Sequence, residues 1–531
     1  MIPNLSGQLL YFFAITVLVS LVCALLVLWH YARRVLAGMQ DSGVVLPVPA
    51  AQPPAGGPAA DPGPWLAFDC RFDHRLLAAW LASALLAALP VALVWLAASG
   101  EPLNLSKPAL LATVLAQLAL PVLALSRGWP WRRTLAVAAL VMSASALLTT
   151  LLSLADRLLR GGMPSADQWL NLLSWFQLAA VLLAPMAVLL LLSTPRRIRQ
   201  VVPMLFGALV LFALAPFLGA LALDALLRQE AAVGLVALAG GVPLRHAVFV
   251  LLALPAGALV AWRLRALAAA HRAKAFSDRQ LLARAWWLML VGAQVMLLVS
   301  SAGTAWWGAP ACALAGLGFV PVQRWVFRRW PPAAGAPPAR CLLFLRAFGH
   351  QARTERLFDR VGARWRALGP ITLIAAPDVV ARSIDPADLL AWLQGREAVA
   401  FVRDGHALAQ RLAAIDQQRD PDGQHRLNEF CCTASTWQAT VVALMARADA
   451  VLMDLRGVPA GAAGGCAWEL GQLGCRLPGR RVVLVVDGNT ALAPLQAALG
   501  AAADQVVWQR MDSERPTDQA ALFRALVGAA A

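Results

Sequence analysis

The chain has 531 residues, 60% of them apolar and 14% charged, with a mean hydropathy of +0.65. Soluble domains carry roughly 25% charged residues and about half apolar ones, so this composition excludes an ordinary water-soluble enzyme and a disordered or collagen-like chain alike. The formal charge of +16 does not mark a nucleic-acid binder. Residues 1–330 hold 24 Lys+Arg against 10 Asp+Glu and residues 331–531 hold 21 against 19, so the polar half lacks the basic surplus such a footprint needs.

A helix needs about 20 apolar residues to cross a bilayer. In chain order the runs are Leu9–Trp29, Leu76–Ala98, Ala109–Leu125, Thr134–Ala155, Trp169–Ser193, Val201–Leu223, Ala247–Leu264, Trp286–Ser301 and Trp307–Val322. They predict about nine spans, a polytopic α-helical membrane domain over residues 1–330. No Lys or Arg precedes the first run and Arg33 and Arg34 follow it, which fits a retained span and not a cleaved signal. With the N-terminus outside, nineteen basic residues of this half fall in inner loops and five (Lys107, Arg157, Arg160, Arg228, Arg245) in outer ones. That bias predicts a bacterial inner-membrane protein with a cytoplasmic C-terminal half. The lipid bilayer is thus its first expected partner.

None of these runs has an ionisable residue near its centre; the larger polar groups are Gln117, Gln177 and Gln294. Ion-coupled transport is disfavoured, and interhelical hydrogen bonding accounts for the glutamines. An uncoupled pore or exporter regulated by the polar half stays open as an alternative. Two segments read as linkers: residues 46–64, with seven prolines, inside a cytosolic loop 41–75, and PPAAGAPPA at 331–339. Eight cysteines without Cys-x-x-Cys spacing suggest reduced thiols and no metal site.

From residue 340 to 531 short apolar runs alternate with amphipathic stretches. Strands are predicted at 341–348, 371–378, 449–456, 480–489 and 504–510, with EAVAFV (397–402) as a short extra or edge strand. Helices are predicted at 350–369, Pro386–Leu393, Thr436–Ala448, from near Cys466, and Thr517–Val527. Continuous apolar strands separated by helices imply a doubly wound, flavodoxin-like parallel sheet. Ligands of such sheets sit beyond the carboxyl ends of the strands, where this sequence places Arg346, Asp378, Asp454, Arg456 and Asp487. The Gly-rich loop GVPAGAAGG (457–465) would let backbone amides at Gly464 and Gly465 approach a phosphate. His350, His406 and His425 sit in polar, Gly-flanked contexts and read as solvated.

The stretch ADAVLMDLRGVPAGAAGGCAWELGQL (448–473), followed by RRVVLVVDGN, resembles TIR (Toll-receptor-like) domains and the related nucleoside deoxyribosyltransferase-like folds. Gly465-Cys466-Ala467-Trp468-Glu469-Leu470 occupies the place of their Ser-x-Trp-Cys-x-x-Glu-Leu helix start, and FLRAFG (344–349) that of their opening strand with its arginine, Arg346. The resemblance covers residues 341–531. It implies a nucleotide ligand, NAD or a relative, and a catalytic role for Glu469 in cleaving the nicotinamide–ribose bond, where a fixed carboxylate stabilises an oxocarbenium-like ribose. It equally implies a non-catalytic alternative, self-association into a homo-oligomer. The chain departs from the pattern at Gly349-His350-Gln351, where an acidic residue is usual, at Gly465 in place of Ser, and over 396–432, which has no counterpart.

Overall fold

The computed structural model describes residues 25–38, 43–50, 61–99, 265–300, 307–346, 351–375, 401–458, 464–477, 481–513 and 515–530, with isolated positions elsewhere. Six of the nine expected spans, those beginning at Leu9, Ala109, Thr134, Trp169, Val201 and Ala247, lie wholly or mostly outside these residues. So do Asp378 and nearly all of the helix expected at Pro386–Leu393.

The second run lies in α1 (Gly63–Ser99), which starts thirteen residues before the apolar stretch. Asp61 Oδ1 accepts from the Gly63 amide at 2.9 Å, and Pro64 is suited to a first turn where no amide partner is needed. Trp65, Phe68, Phe72 and Leu76 then recur at helical spacing and are all buried. Among the described residues this is the one helix long and apolar enough to cross a membrane. The eighth run forms the C-terminal part of α2 (Asp278–Ser300). The ninth is not a single helix: it divides at Gly318 into α3 (Gly308–Leu317) and α4 (Phe319–Arg329). A ten-residue helix reaches about 15 Å, half a hydrocarbon core. The break has a local cause, because Gly318 is conformationally permissive and Pro321 has no amide to donate to the preceding turn.

The α/β domain contains seven strands: β1 (Leu342–Arg346), β2 (Ile371–Ala375), β3 (Phe401–Val402), β4 (Leu427–Cys432), β5 (Ala450–Asp454), β6 (Val482–Val486) and β7 (Val507–Arg510). Their order is β3-β4-β2-β1-β5-β6-β7, and every pairing is parallel. Leaving out β3 and β4, the run β2-β1-β5-β6-β7 follows the 2-1-3-4-5 order of flavodoxin-type sheets. Segment 396–432 supplies the remaining edge, since β3 pairs only with β4 and β4 with β2. The edge strand at 401–402 agrees with the sequence, whereas β4 was not foreseen. Its polar start, Asn428 and Glu429, hides the pattern. Asn428 is buried and exchanges hydrogen bonds with the Asp416 backbone, accepting from its amide at 2.7 Å.

Helices α5 (Gln351–Trp365), α6 (Gly405–Ala413), α7 (Trp437–Met445), α8 (Gly464–Arg476), α9 (Leu492–Leu499) and α10 (Pro516–Ala530) cover the sheet. Alternation along the strands sorts the core in two. Leu343, Leu345, Val451, Met453, Val482 and Leu484 face α7, α8 and α9. Leu342, Phe344, Ile371, Leu452 and Val485 face α5 and α10, and that cluster continues without interruption into Trp65, Phe68 and Phe72 of α1.

The N-terminal helices and the sheet therefore share one core, and polar contacts fix the junction. Arg364 Nη2 pairs with the buried Asp69 at 2.5 Å. Trp65 Nε1 donates to the Pro338 carbonyl at 3.1 Å and Arg75 to that of Ala334 at 2.5 Å. The 331–339 segment is consequently clamped against α1. Opposite it, Lys274, at φ +55°, pairs with Asp416 at 2.7 Å, and Arg426 grips Asp420 with donors at 2.9 and 3.0 Å. His425 lies among these groups, buried and not solvated as its context suggested. Burial, with Arg419 and Lys274 nearby, pushes its pKa down to about 3.

Candidate functional site

The sheet reverses its winding between β1 and β5, and a crevice at the carboxyl ends of that pair is where doubly wound folds bind ligands. Arg346 and Asp454 end the two strands in register. Asp454 is fully committed inside the protein. Arg456 Nε donates to its Oδ1 and Arg456 Nη2 to its Oδ2, both at 2.9 Å, and Thr354 Oγ1 adds a further 2.9 Å bond to Oδ2. Both side chains of the ion pair are only 1% exposed. A buried fork of this kind fixes the loop after β5.

Asp487 serves the same loop from β6. Its Oδ1 accepts from the amides of Gly457 at 3.0 Å and Asn489 at 3.1 Å, and from Thr490 Oγ1 at 2.8 Å. Gly457 has φ +74°, a left-handed turn that favours glycine. Of the residues expected to bind ligand, Asp454, Arg456 and Asp487 thus come together as the frame beneath the Gly-rich loop, while Asp378 lies outside the described residues.

Gly464 and Gly465 open α8. A side-chain carbon at Gly464 would meet nothing within 4 Å, and one at Gly465 would meet only the Trp437 ring, at 3.8 Å. Among the described residues nothing else lies within 4 Å of either carbon. Because α8 begins at Gly464, Glu469 lies in its second turn and not its first, where the helix dipole would have explained an acidic residue. Its surroundings are apolar: Cys466, Leu470 and Leu473 on the same helix are buried against the sheet. Glu469 itself is 5% exposed, its Oε2 has no hydrogen-bond partner among the described residues, and burial pushes its pKa up to about 8. At neutral pH it is chiefly a neutral acid, a donor in a dry setting.

Helical geometry places Glu469 on the flank of α8 that turns toward α7, one position beyond Trp468. That tryptophan meets Trp437, the first residue of α7, edge-on with ring centroids 5.0 Å apart. Beside them at the end of β4 stands a hydroxyl cluster that sequence reasoning missed. Thr433 Oγ1 lies 3.0 Å from Ser435 Oγ and 2.9 Å from Thr436 Oγ1, and the Thr436 hydroxyl donates to the Val402 carbonyl at 2.8 Å. The signal was present as Thr-Ala-Ser-Thr before an apolar helix. Without β4 it could not be assigned to the carboxyl edge.

Two helix starts, two tryptophans and one unpartnered carboxyl group therefore converge on the seam between α7 and α8. Polar groups that hydrogen-bond a hydroxylated ligand, aromatic faces for a planar ring and amides for an anion are all at hand. No family model matches this chain, and no curated protein and no solved structure is similar to it.

Proposed function

We propose that this chain is a membrane-embedded protein of about nine spans whose cytosolic, TIR-like α/β domain binds a nucleotide at the carboxyl edge between α7 and α8. In this reading Glu469 acts on the ribose of NAD. The supporting observation is the buried Glu469 carboxyl group, with one oxygen lacking a partner and its pKa raised to about 8. Perturbed acids in such positions are more often found at functional sites.

The chemistry follows from the environment. The neutral acid donates to a ribose hydroxyl while substrate binds. As the C1′–N bond breaks, its electron pair leaves with nicotinamide and positive charge develops on the ribose. A nearby cation lowers the carboxyl pKa, so the group ionises as the charge it stabilises appears. The proton shed by Glu469 passes to solvent; water adds at C1′, and the proton it loses restores the Glu469 acid, so that one proton is released per ADP-ribose formed. The frame of Asp454, Arg456 and Asp487 holds the loop, and the amides near Gly464 and Gly465 receive the pyrophosphate.

The full chain in lipid nanodiscs, incubated with NAD, should release nicotinamide. Glu469→Gln should reduce that release at least a hundredfold, since a single electrostatic donor is worth about 10²–10³ in rate. Equal release from both proteins would remove Glu469 from the mechanism. No release from either, with self-association retained, would favour the assembly-module alternative.

A further inference from the structure

Residues 46–64 are expected to be an unpacked linker, yet the first of them, residues 46–50, lie against the sheet domain. Helical residues 25–38 pack Leu28, Tyr31 and Val35 into the core shared with α1. Gly38 then passes so close to Phe401 of β3 that a side-chain carbon there would come within 2.8 Å of the ring. Beyond it, Leu46 is partly buried against the core on the opposite face of the sheet.

From there the segment runs extended. Leu46 and Val48 are half-buried while Val45, Pro47 and Pro49 are exposed, the alternation of a strand lying on a surface. The Leu46 amide donates to the Ser435 carbonyl at 3.5 Å, and its side chain lies 3.7 Å from a carbon built on Gly405. Four residues later Arg476, in the last turn of α8, donates Nη1 to the Ala50 carbonyl at 3.3 Å and Nη2 to the Pro49 carbonyl at 2.5 Å. The strap therefore begins at the start of α7 and ends at the last turn of α8. It lies on the same face of the sheet as α8, the helix that carries Glu469. An apolar seat for one side chain, together with an arginine that donates to backbone carbonyls, is a means by which proteins hold proline-containing extended peptides.

We infer that the outer face of α6, α7 and α8 is a docking groove for an extended proline-containing strand, that residues 44–50 of this chain occupy it, and that their release uncovers the Glu469 crevice. Only the significance of that uncovering rests on the nucleotide reading; the docking stands on contacts alone.

The test uses full-length protein in nanodiscs and a fluorescent peptide of residues 43–52. Leu46→Asp should expel the strap and bind the peptide at least tenfold more tightly than the unmodified protein, whose groove is filled. Adding Arg476→Ala should abolish that binding. Carbodiimide labelling of Glu469, located by peptide mass spectrometry, should accelerate at least tenfold in Leu46→Asp and return to its original rate when peptide is added. Protection of β5 and β6 amides from hydrogen exchange should be unchanged, which separates strap release from unfolding. Equal peptide affinity for both proteins, or labelling indifferent to the peptide, overturns the proposal. These readouts need no NAD, so failure of the hydrolase reading would leave them intact.

Discussion

Glu469 and His425 are each held in the uncharged form, and they bend the stability curve in opposite directions. The folded pKa of Glu469 is about 8 against an ordinary 4.5, so between these values the folded protein keeps a proton that the unfolded chain has lost. Stability from this residue therefore falls as pH rises from about 4.5 to about 8 and is level above that. Glu469→Gln should accordingly stabilise the protein at pH 8.5, by up to about 5 kcal/mol, and by nothing measurable at pH 4. Urea unfolding of the α/β domain at the two pH values checks this, and an equal gain at both would refute it. For His425 the folded pKa is about 3 against 6.5. The unfolded chain binds the extra proton, so stability is complete above about 6.5 and is lost as pH falls toward 3. His425→Gln should flatten that acid limb and leave the alkaline one unchanged. The buried Asp454–Arg456 fork carries a different cost. Asp454→Ala removes the carboxylate that accepts from Arg456 Nε and Nη2 in the core and should destabilise the domain by about 3–5 kcal/mol, whereas Asp454→Leu combined with Arg456→Met should recover much of the loss. Denaturation midpoints of the single and double variants decide it.

Elements were legible in the sequence where one physical signal dominated. The strands β1, β2, β5 and β6 are nearly unbroken apolar runs because both faces of a parallel sheet are covered, and such runs are visible without a structure. β4 was missed because Asn428 and Glu429 interrupt its pattern, with Asn428 satisfied only by the distant Asp416 backbone. The helix carrying Glu469 was foreseen, but its start was set two residues late. That small difference changed the meaning of the residue, from a plausible dipole partner to a carboxyl group with no local reason to be there. Asp454, Arg456 and Asp487 were rightly placed at strand ends, but their hydrogen bonds, invisible in one dimension, turn inward. The Gly457 turn belongs to this scale as well. Gly457→Ala forces a side chain into φ +74° and should cost about 1 kcal/mol or more, seen as a lowered Tm of the α/β domain.

At the scale of the whole molecule, the sequence suggested two units joined by proline-rich tethers, and the structure joins them through packed aromatic side chains. Composition could announce that residues 46–64 and 331–339 cannot form a core of their own. It could not announce that Leu46, Ala333 and Ala336 would be received by a core built elsewhere. Phe72 lies at the centre of that junction, buried within the cluster that also holds Trp365 and Phe523. Phe72→Ala should cost about 3–5 kcal/mol and expose the 331–339 segment to limited proteolysis while the sheet persists. Unaltered cleavage kinetics would show that the two units are coupled by some other route.

Helix α1 is one continuous element of 37 residues, about 55 Å of rod at 1.5 Å per residue. If its apolar stretch is seated in lipid, the thirteen residues before Leu76 form an oar of roughly 20 Å, its blade gripped by the sheet at Trp65 and Asp69. Tilting such an oar by ten degrees sweeps the blade about 3 Å sideways. Bilayer thickness or lateral tension would in that way be converted into a push on the underside of the sheet, on the face opposite Glu469.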